Sequence, residues 1–211
     1  MNKHVLLSII LIASLLSVLP ASVSAYQTIT ISPSGGDDTS AVIDAILGLE
    51  DGGTVYFGAG TYHVNLTVVY FSTHPNYQSN PFLDFDKSFS LVGAGQGVTI
   101  LDGDITGDGE GDGRIFELRY TGDNSITLSG FTIRNGRVNG SGGAIYDYDC
   151  SLSIVDCTFE NNIATDDAGA VAIIDNFSDN IFLLNNCTFI NNAASDKGGG
   201  LALNTASPTI T

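Results

Sequence analysis

The densest run of reactive groups is Asp102-Gly103-Asp104-Ile105-Thr106-Gly107-Asp108-Gly109-Glu110-Gly111-Asp112-Gly113, in which acids alternate with glycines. Carboxylates on so flexible a backbone can wrap oxygens around a hard cation, so Asp102, Asp104, Asp108 and Asp112 are a candidate Ca2+ set. The spacing is not that of an EF-hand, because the twelfth position counted from Asp108 is Arg119 and from Asp104 is Ile115, where a bidentate Glu is required. A solvated acidic loop is the plainer reading of the same residues. Asp166-Asp167 is a carboxylate pair that could do acid and base work only if it faced a groove. It sits between a turn and the next strand, where a solvated turn is expected. The histidines are His4, His63 and His74, and the last two flank an expected insertion, which makes them incidental surface residues. Arg114, Arg119, Arg134 and Arg137 could each supply a lyase base, and no spacing selects among them. No catalytic residue is assigned. Cys150, Cys157 and Cys187 are an odd count that allows at most one bridge, and they read best as small buried apolar residues.

The elements that position these groups emerge from internal repetition. Leu128-Ser129-Gly130-Phe131-Thr132-Ile133-Arg134-Asn135-Gly136 aligns with Ile154-Val155-Asp156-Cys157-Thr158-Phe159-Glu160-Asn161-Asn162. A third copy is Leu184-Asn185-Asn186-Cys187-Thr188-Phe189-Ile190-Asn191-Asn192. Seven residues after Asn135, Asn161 and Asn191 come Gly142-Gly143-Ala144-Ile145, Ala168-Gly169-Ala170-Val171 and Gly198-Gly199-Gly200-Leu201. The copies are 26 and then 30 residues apart, and a polar loop at 175–180 absorbs the four extra. Within a copy the apolar residues alternate, as in Leu152 and Ile154 between serines, which is strand periodicity. Strands this short, recurring at this period, are expected to stack as one turn of a coil per repeat. Ile133, Phe159 and Phe189 would then form an internal ladder, as would Phe131, Cys157 and Cys187. Asn135, Asn161 and Asn191 would stack at a turn and bond from rung to rung through their amides.

Upstream, Val42, Ile43, Ala45, Ile46 and Leu49 recur at helical spacing. The pattern predicts a helix over about 41–49, capped by Asp38 or Ser40 and stopped by Gly52-Gly53, that plugs the open end. Strand-like runs are expected at 54–57, 64–69, 89–92, 98–101, 115–118 and 126–128. The fold class is therefore all-β, a right-handed parallel β-helix over 26–211 with a capping helix at about 38–50 and regular repeats from 126. The last residues read as the start of another repeat, so the coil is expected to be C-terminally incomplete.

At the other end, Lys3 precedes a run over 5–19 of almost only Leu, Ile, Val, Ala and Ser, followed by Val23-Ser24-Ala25. This is the pattern of a signal peptide over 1–25, cleaved after Ala25, which implies a secreted or cell-surface protein. No later segment is apolar for long enough to span a bilayer. The chain holds 7 Lys and Arg against 23 Asp and Glu. Losing the leader removes Lys3 and no acid, leaving 6 against 23, a formal charge of −17, which argues against nucleic acid as a partner. Sequons stand at Asn65, Asn139, Asn176 and Asn186.

The stretch Gly52-Gly53-Thr54-Val55-Tyr56-Phe57-Gly58-Ala59-Gly60-Thr61-Tyr62, with Leu91-Val92-Gly93-Ala94-Gly95 and Thr99-Ile100-Leu101-Asp102-Gly103, resembles the opening of the pectin-lyase-like β-helix superfamily. The later repeats resemble those of the chlamydial polymorphic outer membrane proteins, with an unaltered GGAI at 142–145 and Phe-x-x-Asn at Phe159-Glu160-Asn161-Asn162 and Phe189-Ile190-Asn191-Asn192. These resemblances imply a β-helix and leave the activity open, since such coils serve adhesins and polysaccharide-cleaving enzymes alike. The hydrolase relatives' Gly-His-Gly and Arg-x-Lys elements are missing here. The expected function is adhesin-like, noncatalytic binding of glycan or extracellular protein. The alternative is a pectate-lyase-like lyase or a glycoside hydrolase acting on acidic polysaccharide.

Overall fold

The computed structural model describes residues 26–66, 87–119, 124–148, 150–174, 180–204 and 208–211. The leader, His74, Asn176 and 175–179 of the expected insertion lie outside them. Within them the chain is a parallel β-solenoid of about five turns with one short helix.

The widest wall has seven strands: β1 (Thr28–Ile31), β2 (Gly53–Phe57), β4 (Phe89–Gly93), β7 (Ser125–Ser129), β11 (Ser151–Val155), β15 (Phe182–Asn185) and β19 (Pro208–Ile210). A second wall is formed by β3 (Gly60–His63), β5 (Thr99–Asp102), β8 (Thr132–Arg134), β12 (Thr158–Glu160) and β16 (Thr188–Ile190). The third holds β6 (Phe116–Arg119), β10 (Ile145–Tyr148), β14 (Val171–Ile174) and β18 (Leu201–Asn204). Two-residue strands β9 (Arg137–Val138), β13 (Ile163–Ala164) and β17 (Ala193–Ala194) bridge the second wall to the third. One coil runs β7, β8, β9, β10, and the next lays β11 on β7 in parallel.

The period-2 alternation of the sequence drives this arrangement, because it turns every second side chain into the tube. Val55, Leu91, Leu128, Ile154 and Leu184 stack as one internal ladder. Ile133, Phe159 and Phe189 form another, with the Phe159 and Phe189 rings parallel at 5.0 Å. All of these except Phe189 are buried.

Corners fall where the backbone turns left-handed, at Asn135, Asn161 and Asn191 (φ 57°, 56° and 53°). Asn tolerates that conformation better than other side chains do. The rung-to-rung amide bonds expected of this row are made by the residue after it. Asn162, fully buried, donates through Nδ2 to Asn192 Oδ1 (2.9 Å) and to Ile133 O (3.1 Å), and its Oδ1 accepts Gly136 N–H (2.8 Å). The reason is direction: Asn161 turns outward at the corner, and its neighbour turns inward, where it takes up the buried Gly136 N–H. The GGAI pattern also has a steric cause. Gly142, Ala168 and Gly198 turn left-handed, and a Cβ on Gly143 would strike the carbonyls of Gly169 and Ile163.

The helix, α1 (Thr39–Leu47), starts two residues before the expected boundary and ends at Gly48, well short of Gly52. Asp38 occupies the N-cap position without capping, since its Oδ1 accepts Ser34 N–H, while Asp37 Oδ1 accepts Thr39 N–H. At the other end Lys87 Nζ donates to Leu47 O and Leu49 O, a cation on the negative end of the helix dipole. Val42, Ala45 and Ile46 are buried, and Ile46 lines the same small apolar void as Leu66, Phe89, Leu91 and Phe116, so the helix plugs the tube as expected. Of the strand expected at 64–69, the described part contributes a single bridge, Leu66 to Phe116. No helix among the described residues is long and apolar enough to cross a membrane.

Candidate functional site

The acidic loop connects β5 to β6, and hydrogen bonds within the chain engage each of its four candidate carboxylates. Asp102, buried, takes Arg134 Nε on Oδ2 (2.7 Å) and Asn135 Nδ2 on Oδ1 (2.8 Å). Asp104, also buried, accepts the backbone N–H groups of Gly107 (2.7 Å), Asp108 (3.2 Å) and Gly109 (2.9 Å). Exposed Asp108 accepts Glu110 N–H at 2.9 Å, and exposed Asp112 accepts those of Ile105 and Thr106. The Thr106 N–H, helped by the Ile105 N–H and the Thr106 hydroxyl, holds the Asp112 carboxyl below the usual range. The loop is thus folded by its own acids. Among the described residues no three His, Cys, Asp or Glu side chains gather so as to hold a metal.

His63, read from the sequence as incidental, ties this loop down, because its Nδ1 bonds Asp104 O at 2.6 Å from the end of β3. Nothing local in the sequence announces a contact 41 residues away. Between the loop and the corner of the next coils lies a groove of about 230 Å³ lined by Glu110, Asn135, Arg137, Asn161 and Ile163. The Glu110–Arg137 ion pair (2.5 Å) stands in its wall.

The four arginines that could have served as a lyase base are all committed to carboxylates. Arg114 and Arg119 share Glu117 and stack on Tyr146, and Arg119 also reaches Tyr148. Arg134 pairs with Asp102, and Arg137 with Glu110. Asp166 and Asp167 come together at the turn into β14, and neither lines the groove beside the acidic loop. Asp167 pairs with Lys197 (3.7 Å) and accepts its N–H, and Asp166 is exposed.

A different surface stands out in composition. The outward residues of the seven-stranded wall line up in register. One row is Thr28, Thr54, Ser90, Thr127, Ser153, Leu183 and Thr209. A second is Thr30, Tyr56, Val92, Ser129, Val155 and Asn185, and Ser125 and Ser151 begin a third. All are exposed or half-exposed, with Tyr56 at 45%, and none carries a charge. The outer faces of the other two large walls contain the Asp102–Arg134–Glu160 and Glu117–Arg119 networks. Six of the seven residues in the first row bear hydroxyls, repeated at the rung spacing of roughly 4.8 Å. The apolar alternation marks most of the strands that carry these rows, though not β1, and the register that aligns them across 37 residues from Ser90 to Thr127 is visible only in three dimensions.

No protein-family model, curated protein or solved structure matches this chain.

Proposed function

We propose that the protein is a noncatalytic, adhesin-like binding protein of the cell surface or extracellular space, and that its seven-stranded wall takes an uncharged polysaccharide. The observation that carries this reading is the absence of charge from that wall in a chain with 23 acidic residues. Hydroxyls both donate and accept, so a row of them matches the hydroxyls of a neutral sugar chain without stripping water from an ion. Tyr56, Val92 and Val155 add apolar patches for the faces of sugar rings. The net negative charge repels acidic polymers such as pectate at longer range. Export is supported by Lys3, the apolar run behind it and Val23-Ser24-Ala25. The adhesin class is supported by the resemblance of the GGAI and Phe-x-x-Asn repeats to polymorphic outer membrane proteins. The pectate-lyase-like alternative has less support, since each arginine that could act as its base is held by a carboxylate.

The test is electrophoresis of the purified protein through gels containing a neutral glucan, mannan or galactan, or polygalacturonate. Retardation by a neutral polymer, lost in Thr127→Glu and kept in Arg137→Gln, is the expected result. Retardation untouched by Thr127→Glu moves binding off the wall. Release of unsaturated or reducing sugar from polygalacturonate would replace the reading with the enzymatic one.

A further inference from the structure

Cys157 and Cys187 stand at the same corner of successive coils. Each immediately precedes a short strand, β12 or β16, and the first residues of those strands pair, Thr158 with Thr188. Thr188 N–H donates to Cys157 O at 2.9 Å, which holds the two cysteines one rung apart. A rung is roughly 4.8 Å, inside the roughly 4.4–6.8 Å between Cα atoms that a disulfide spans. The two side chains also share an orientation. Cys157 Sγ lies 3.3 Å from Val155 O and 3.9 Å from Leu128 O, and Cys187 Sγ lies 3.3 Å from Asn185 O and 3.6 Å from Ile154 O, the equivalent carbonyls one coil on. Their access to solvent differs: Cys157 is fully buried and Cys187 is half-buried. Cys150, also buried, lies at another corner beside Tyr148 and Asp147, stacked on neither.

We propose that Cys157 and Cys187 are joined by a disulfide that staples the coil of β11 to β14 onto the coil of β15 to β18 when the protein meets a small-molecule disulfide. The Cys187 thiolate attacks one sulfur of the reagent and expels the other half as a thiolate, leaving a mixed disulfide on Cys187. Cys157 then gives its proton to that released thiolate and attacks the Cys187 sulfur, and the second half leaves as a thiolate that is protonated by water. Two protein thiols are oxidised and one reagent disulfide is reduced to two thiols. Entry through Cys187 follows from its exposure. It follows also from the hydrogen bond with Cys157, which brings the Cys187 thiol down to about 7 while it and burial push the Cys157 thiol up. Capping Cys187 removes the thiolate that this bond stabilises and frees Cys157 to resolve the intermediate.

The full chain, purified reduced, is incubated with oxidised glutathione, denatured, and examined by thiol titration and a non-reducing peptide map. One remaining thiol, at Cys150, and a peptide pair linked through Cys157 and Cys187 are expected, with a melting temperature several degrees above that of the reduced protein. In Cys157→Ser, glutathione should stay on Cys187, because nothing is left to displace it. Three free thiols, glutathione retained on Cys187 of the unmodified sequence, a bridge that includes Cys150, or a bridged form that melts lower than the reduced one would each overturn the proposal.

Discussion

At the scale of single residues, two adjacent asparagines do different work. Asn161 supplies a left-handed turn, while Asn162 bonds the backbone of the coil before it at Gly136 N–H and Ile133 O and the Asn192 side chain of the coil after it. Replacing Asn161 by Ala asks an ordinary side chain to hold a left-handed φ, at a cost of roughly 1–2 kcal/mol. Replacing Asn162 by Ala strands Gly136 N–H inside the tube, at roughly 1–3 kcal/mol, and leaves a void where a fully buried side chain had been. Urea unfolding should therefore show Asn162→Ala as clearly the more damaging variant, and Asn161→Gly as nearly silent. The sequence displays the Asn-Asn pair but not this division. Both residues fit a turn by type, and only the direction of the second, into a fully buried position, gives it the ladder.

At the scale of elements, the acidic loop shows what local folding adds to composition. Its alternating Asp and Gly could be read for metal chemistry, and in the fold those carboxylates are spent on backbone N–H groups. The Asp112 carboxyl lies below its usual range in the fold, so its contribution is present above the unfolded pKa of about 3.9 and is lost as pH falls through the folded value. Melting curves of the parent and Asp112→Asn should accordingly differ near neutral pH and converge in acid. A gap that is as wide in strong acid as at neutral pH would show that the ionised carboxylate is not what closes the loop. The long repeats from 126 onward were legible because alternation and turn residues recur in them. Strands β9, β13 and β17, at two residues each, are too short to show a period. The turn around Gln96 was equally hidden, although it straps three coils through Thr132, Thr158 and Asn186 O, because those partners lie 35 to 90 residues away. The helix was placed by its apolar spacing, but its C-terminal end is met by Lys87, which lies some 40 residues on and which no local pattern records.

At the scale of the whole molecule, a formal charge of −16 works against compaction, and the basic residues among the described ones are already engaged. Added salt should raise the melting temperature by screening that repulsion. Ca2+ is the discriminating case. With the loop carboxylates occupied by N–H groups and arginine, millimolar Ca2+ should stabilise the protein no more than Mg2+ at the same concentration. A larger shift for Ca2+, abolished in Asp104→Asn, would establish that the loop rearranges around the ion.

The plug formed by α1 also imposes an order in time. Each turn of a solenoid finds most of its partners in the turn before it, so a new turn is cheapest to add where a finished one already offers its edge. The helix closes the first turns against Leu66, Phe89 and Leu91 and gives the growing stack a floor, so the chain can wind itself up from its N-terminal end as it is delivered, whether by a ribosome or through a pore. Hydrogen exchange during refolding should then show protection spreading from β2 toward β18.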